Sequence, residues 1–592
     1  MKTYKSSKRY SCRLSLLSAV ILTGASLSAA HAAPPPDAGT IMDSTKAPAL
    51  SKPATSPTID VKETARPGLA IAKDTKVKVA KIMVTGMTVV TQEELAKILA
   101  GYEGKTLTFV ELNQLTGDIS KYYRDRGYLL ARAYLPKQEI KDGKLEVAVL
   151  EGKIDKIDIN MDEAKRLRKS QVEAIAANLK KEAVAKDSKL ERGLLLLNDL
   201  PGVNVSSTLT PGSTVGAADL LLKVKESRLI TGAVDADNFG NRYTGTYRAG
   251  ASLNVNDLTG YGDQLSLRGQ TGGSGLLLGR VGYNLPVGPN GTKVGISYAN
   301  MAYELGKDLE ILGYEGTSNV LGAYVAHPFI RSRRTNLYGT LGYDYKQMED
   351  ESKSVIINDR QVNVVNAGLN GDWRDGIGGG AVNAAGLSLS MGNLDIQDVQ
   401  ARLADTWAGG VPPIPGQRTD GSFSKIRYNL SRMQYLTPRF STYASLQGQF
   451  ASGNLDSSEK FSLGGPYGVR AYPQGEAAAD EALLVNLELR WDMPLGTRFG
   501  IPQLVFFYDF GRVLKLHDEP WYGWQGGNTA LLNSYSIDGA GIGFNLTKSE
   551  DYVLRAVYAR KIRDNAGADS RGNDSDNRDN DNRFWLQMMK QF

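Results

Sequence analysis

Few side chains in this sequence are equipped for covalent chemistry. Histidine occurs only at positions 31, 327 and 517, and cysteine only at position 12. No Gly-Lys-Ser/Thr phosphate loop is present, and no His/Glu set has metal-ligand spacing. His327 precedes Pro328 and reads as a loop or interfacial histidine rather than a base. The stretch from Asp564 to Asn582 offers hard oxygen ligands of the kind calcium takes. It lacks fixed ligand spacing and contains Arg571 and Arg578, so a solvated loop is the expectation. No catalytic, cofactor or metal residue is therefore expected. Seventy Lys and Arg against 64 Asp and Glu give a net charge of +6. Without a basic stripe, that excludes nucleic acid as the expected partner.

The elements that would carry any other function have clearer signals. Lys2, Lys5, Lys8, Arg9 and Arg13 precede an apolar stretch from Leu14 to Leu27 and then Ala30-His31-Ala32. This is the pattern of a signal peptide over residues 1–32, with the mature chain expected from Ala33. Cys12 would leave with it, so neither disulfide nor thiol chemistry is expected. In the closing segment every second side chain from Phe584 to Met588 is apolar, and the last residue is Phe592. A strand with one face in lipid and one in a wet lumen reads this way. Only 41% of residues are hydrophobic, with 64 Gly and 28 Tyr against 14 Phe. Barrels spread apolar residues thinly and place Tyr at both membrane interfaces.

Residues 33–76 are rich in Pro, Ala, Thr, Ser and Lys and read as a tether. The segment from Pro36 to Lys73 is expected to be mobile, because its composition buries too little apolar surface to hold a fixed position. From Val77 the pattern is strand (Val77 to Val84), helix, helix, strand (Leu129 to Leu135), strand (Leu145 to Leu150). Both helices open on capping boxes, Thr91 with Glu94 and Thr108 with Glu111. The second is striped by Leu112, Leu115, Ile119 and Tyr122. The same order repeats over 153–226, where Leu194 to Leu197 read as ordinary core. After Arg228 alternation replaces helical periodicity, for example at Leu265 to Arg268, Phe440 to Phe450 and Leu504 to Phe510. The fold class is thus two α+β repeats, 77–152 and 153–226, followed by an all-β transmembrane barrel over 227–592.

Several stretches together resemble the transporters of two-partner secretion, the TpsB proteins that export haemolysins and filamentous haemagglutinins. Tyr123-Arg124-Asp125-Arg126-Gly127-Tyr128, Leu135-Pro136-Lys137-Gln138 and Leu150-Glu151-Gly152-Lys153-Ile154 resemble the first polypeptide-transport-associated (POTRA) domain of that family. Leu194 to Val203 resembles the second, and Asp237-Asn238-Phe239-Gly240 the first barrel hairpin. Phe461 to Gly465 with Val469-Arg470-Ala471-Tyr472, and Phe507-Tyr508-Asp509-Phe510-Gly511, resemble the two barrel signatures. The resemblance implies sixteen antiparallel strands, POTRA domains in the periplasm, an outer-membrane location and export of a partly unfolded exoprotein. The partners it implies are that exoprotein, outer-membrane lipid and the barrel-assembly machinery, which would read Phe592. Two rivals stay open: a BamA-like insertase and a passive porin or receptor.

The implied sites are a lumen loop and barrel-wall lock, comprising Val469, Arg470, Ala471, Tyr472, Phe507, Asp509 and Gly511. Tyr128, Leu135, Pro136 and Gln138 are the client-binding candidates, on a POTRA sheet whose exposed edge could take an added strand. Two departures from the family are visible. Its V-R-G-Y tetrad has Ala471 in place of Gly, which puts a tight backbone approach in question. The segment from Pro36 to Lys46 is short, so a plug helix is expected to be small, labile or absent. Arg470 and Asp509 are expected to pair in a wet lumen, with a net worth of about 0–1 kcal/mol.

Overall fold

A computed structural model describes residues 35–44, 59–61 and 76–592, apart from 129, 181–183, 215, 410–413, 496–497, 519–531 and 550. The signal-peptide reading of 1–32 lies outside the described residues.

Both predicted capping boxes form, and each starts a helix, Gln92–Leu99 and Phe109–Asp125. They cover one face of a sheet in which Lys144–Leu150 lies between Lys81–Thr85, parallel, and Arg132–Tyr134, antiparallel. Ile82, Leu95, Leu115, Ile119 and Leu145 fill the interface. Two expectations shift here. The single strand from Val77 to Val84 is split, because Val79 turns inward and bonds Gly104 and Lys105, leaving Lys76–Lys78 to pair with Thr106–Thr108. Tyr123 rather than Tyr122 is fully buried on the second helix, since it follows Leu115 and Ile119 at four-residue spacing.

The second unit repeats the order. Ala217–Glu226 lies between Lys153–Glu163, parallel, and Val203–Pro211, antiparallel. Helices Lys169–Ala177 and Asp187–Asn198 cover it. Leu194, Leu196 and Leu197 are buried in its core, and Leu195 is buried outside that cluster. A Cβ at Gly193 would stand 2.3 Å from the Leu179 side chain, so glycine permits the second helix to approach the 3-10 turn Asn178–Lys180 that follows the first.

The exposed-edge expectation is narrowed. Ile82 N–H donates to Glu103 and Val84 N–H to Gln92, while Ala133 N–H donates to Ser120. In the second unit, Ile59–Val61 of the tether adds parallel to Val203–Pro211. Edges left open invite promiscuous pairing; the chain covers these positions itself, while Lys153–Glu163 remains an edge strand of the second sheet.

Sixteen antiparallel strands then close into a barrel, from Ile230–Asp237 to Asn582–Gln591, with these two strands paired to each other. Along the last strand Phe584, Leu586 and Met588 are exposed and Trp585 is buried, as the alternation requires. Short turns such as 332–334 lie at the end of the barrel facing the second unit, and long loops such as 452–480 at the other. The second unit is fastened to that end. Arg331 holds Asp199 through two bonds of 2.7 and 2.8 Å, Arg192 donates to Pro328 O at 2.7 Å, and Arg168 stacks on Tyr261.

The loop from Asp564 to Asn582 is not simply solvated. Asp574 and Asp576 are buried, and Lys561 and Arg583 neutralise them.

Candidate functional site: the barrel lumen

The 452–480 loop folds back into the barrel, and its tip is fully enclosed. Val469, Ala471 and Tyr472 are 0% exposed, Arg470 is 3% and Asp509, on the wall strand Ile501–Leu514, is 0%. The tip is shaped by its own backbone. Leu463 and Gly464 N–H donate to Glu476 O, and Val469 N–H donates to Leu463 O at 2.7 Å. A Cβ at Gly468 would stand 1.8 Å from Leu463 O, so only glycine fits.

Arg470 is bonded from backbone to fork. Its N–H and Nε donate to Asp509 Oδ2 at 3.0 and 2.8 Å, Nη2 to Asp509 Oδ1 at 2.7 Å, and Nη1 to Glu488 Oε1 at 2.7 Å. Its guanidinium lies 3.5 Å from the Phe507 ring centre, and Trp585 Nε1 donates to its carbonyl. Asn486 Nδ2 adds bonds to Asp509 Oδ1 and to Gly468 O, joining wall and loop tip. Gly511 belongs to the same fit, because a Cβ there would stand 2.6 Å from Leu463.

The two predicted signatures therefore meet, and the energetic expectation is corrected. This is no wet-lumen pair: with both partners enclosed, removing one strands the other, which costs about 3–5 kcal/mol. Ala471 also resolves. It keeps a negative φ, and its methyl stands where a Cβ on Gly539, beside Asp509 on the neighbouring wall strand, would come within 2.4 Å. The wall supplies the glycine that the loop lacks. Sequence reasoning missed Glu488, Asn486 and Gly539. The first two stand on the polar side of the alternation in Glu481–Asp492, a signal available but not specific.

A second lumen group involves the tether. Ala38–Ser44 is a helix inside the barrel, with Ala38 and Ile41 buried against Tyr243, Leu276, Met301 and Tyr303. This overturns the expectation that the Pro36 to Lys73 composition could hold no fixed position, at least for these seven residues: the apolar surface they lack is provided by the lumen. Arg360 of the wall pairs with Asp37 at 2.9 Å, with Asp350 at 2.7 Å and with Asp456 of the loop at 2.6 Å. Ser457 Oγ donates to Asp37, Ala38 N–H donates to Asp350, and Gly39 lets the helix rest on Ser457 and Ser458.

The client-binding candidates do not form one patch. Tyr128 is buried where the two α+β units meet, edge-on to Tyr123 and beneath Lys186. Gln138 continues the edge ladder by exchanging two 2.7 Å bonds with the Glu146 backbone. Leu135 and Pro136 are half-buried between them.

A barrel with an inward-folded, ion-paired loop and two α+β units at its mouth matches a known family. The description "Haemolysin secretion/activation protein ShlB/FhaC/HecB" fits residues 216–543, and "POTRA domain, ShlB-type" fits residues 77–152. The chain belongs to this TpsB family. Its curated relatives include the heme/hemopexin transporter protein HuxB of Haemophilus influenzae, 30% identical over 509 residues and covering 85% of each chain. Among solved structures, CdiB from Escherichia coli superposes with a TM-score of 0.67 at 20% identity, over 89% of this chain and 93% of that one. BamA from Haemophilus ducreyi, lacking its POTRA domains 1–3, reaches 0.50 at 14% identity, over 88% of this chain and 100% of that one, a likeness of fold alone. This TpsB chain is a non-enzymatic outer-membrane transporter of two-partner secretion, and its partner is a secreted exoprotein of the TpsA type.

Proposed function

We propose that the lumen loop and the barrel wall form a lock that holds the resting transporter closed, and that export requires this lock at its correct position. Val469, Arg470, Ala471 and Tyr472 form the loop part, and Phe507, Asp509 and Gly511 the wall part. The observation that carries the reading is the four-bond attachment of enclosed Arg470 to Asp509 and Glu488. Ala38–Ser44 acts as the plug, seated on the same loop.

The domain division follows: 1–32 signal peptide, 33–76 tether and plug, 77–152 and 153–226 POTRA domains, 227–592 barrel. The client enters at the POTRA pair as an extended segment, with Leu135 and Pro136 the candidate contacts and Tyr128 and Gln138 shaping the surface. The apolar outer wall takes outer-membrane lipid, and the barrel-assembly machinery reads Phe592 before its ring settles over Gly232.

The test is export of the partner exoprotein by Arg470→Asp, Asp509→Arg and the double exchange, with barrel folding scored by heat-modifiable migration. Both single variants are expected to lose export, and the double exchange to recover part of it. Normal export by either single variant would refute the lock.

A further inference from the structure

The outer wall carries an arginine patch that no part of the transport machinery uses. Phe506, Ile542, Tyr558 and Phe584 stand in one register row across four neighbouring strands, all exposed on the outer face, and the row runs from mid-strand at Phe506 and Ile542 to the strand ends far from the POTRA domains at Tyr558 and Phe584. Aromatic side chains near the strand ends, as Tyr558 and Phe584 are, mark the boundary between hydrocarbon and headgroups. The next row up is Tyr508, Ala540, Arg560 and Asn582, and Arg512 lies on the strand of Phe506 and Tyr508, opposite Ser536.

Side-chain alternation fixes the direction of these arginines. Val513, Val557 and Ala559 are buried against the lumen loop, so Arg512 and Arg560 share the outward face of Tyr508 and Tyr558. Both are exposed and, among the described residues, neither holds a hydrogen bond or an ion pair. Between them Arg563 has a side chain 61% exposed and grips Asp538, which also accepts from Tyr508. Three guanidinium groups thus face outward around a single enclosed carboxylate, which Arg563 and Tyr508 hold through its Oδ2 while its buried Oδ1 accepts no bond among the described residues.

We infer that Arg512 and Arg560, backed by Arg563, form a docking surface for a phosphorylated glycolipid of the outer leaflet. The phosphate would meet the guanidinium forks, whose planar donors match phosphate oxygens. The acyl chains would lie against the aromatic row beneath. A soluble anion would use the arginines but gain nothing from Phe506, Tyr558 and Phe584. This deepens the reading of the outer wall as lipid-facing and rests on it.

The test uses the full-length protein in a nonionic detergent, titrated with a bisphosphorylated, multiply acylated glucosamine disaccharide, with bound lipid counted by native mass spectrometry. Arg512→Gln with Arg560→Gln is expected to weaken binding by roughly fivefold per arginine removed. Lys353→Gln, on a remote strand connection, is expected to bind as the parent does. The dephosphorylated glycolipid is expected to bind the parent as weakly as the phosphorylated one binds the double variant, and millimolar inorganic phosphate is expected not to displace the glycolipid. Unchanged binding by the double variant, or equal binding of the dephosphorylated lipid, would overturn the inference. Displacement by inorganic phosphate would make the patch a free-anion site and overturn it too. Insertion into liposomes is scored separately: a parent that failed to insert would count against the lipid-facing wall itself, whereas a folded, inserted double variant with parental affinity counts against the patch alone.

Discussion

Arg470 and Glu151 illustrate how differently one buried charge behaves in the two halves of the chain. Arg470 joins a loop to a wall, so its loss is expected to release the loop while the barrel ladder stays intact. Glu151 is local. It accepts from Thr88 and Val89 N–H at 2.7 and 2.9 Å and from Tyr123 Oη at 3.1 Å, and it also bonds the Thr88 hydroxyl. Burial alone would raise its pKa, but these donors outweigh burial and hold the carboxyl below its ordinary range. A depressed carboxylate contributes stability that is present above its unfolded pKa and lost as pH falls through the folded value. The first POTRA domain should therefore lose stability on acidification below about pH 4.3, the unfolded value for Glu. Glu151→Gln should cost about 1–3 kcal/mol at neutral pH and flatten that acid limb. Urea melts of the full-length protein at pH 7 and pH 4, followed by a POTRA probe, check both; an unshifted midpoint at pH 7 would dismiss the role assigned to this carboxylate.

The plug helix belongs to the element scale. Seven residues are too few to hold a helix in water, and Ala38–Ser44 forms because Asp37 accepts from Thr40 N–H at 3.0 Å and because the lumen encloses Ala38 and Ile41. Its polar tie is the shared guanidinium of Arg360. Asp37→Asn removes one of three carboxylates and leaves Asp350 and Asp456 paired, so the plug should loosen without freeing the 452–480 loop. Arg360→Gln leaves three carboxylates crowded together and should disturb both. In planar bilayers Asp37→Asn is expected to show a larger or noisier open state than the parent. A parental trace would remove the ion pair from the account of plugging.

At the scale of the whole molecule, the second POTRA domain is fastened to the barrel by Arg331 and Asp199, with Lys293 Nζ donating to Asp199 O and Glu191 holding Arg333. A hinge would be expected if only a linker joined the two, but this joint has its own ion pairs and fixes where a client meets the pore. Arg331→Asp and Asp199→Arg should each reduce export with the barrel still folded, and the double exchange should restore part of it. Export assays beside heat-modifiable migration decide this. Additive loss in the double exchange would show that the two residues do not act through each other.

Local rules made much of this legible from sequence alone. Capping boxes, a three-to-four-residue stripe and a two-residue alternation are written between near neighbours, so the repeated α+β units, the switch to barrel strands and the outward face of the last strand could be read directly. Arg470 and Asp509 could be named because their motifs are short and contiguous. What the letters could not give was burial: whether that pair sits in water or out of it depends on a loop returning 39 residues later against a wall, and that decides a difference of several kcal/mol. The same holds for Ala471, whose missing glycine is supplied by Gly539, and for Ala38–Ser44, whose position rests on Arg360 more than 300 residues away. The covered edge of Val203–Pro211 follows the same logic, since Ile59–Val61 meets it only in the folded chain. Contacts between distant segments are set by the closure of the barrel and the docking of the repeats, and no local periodicity records them.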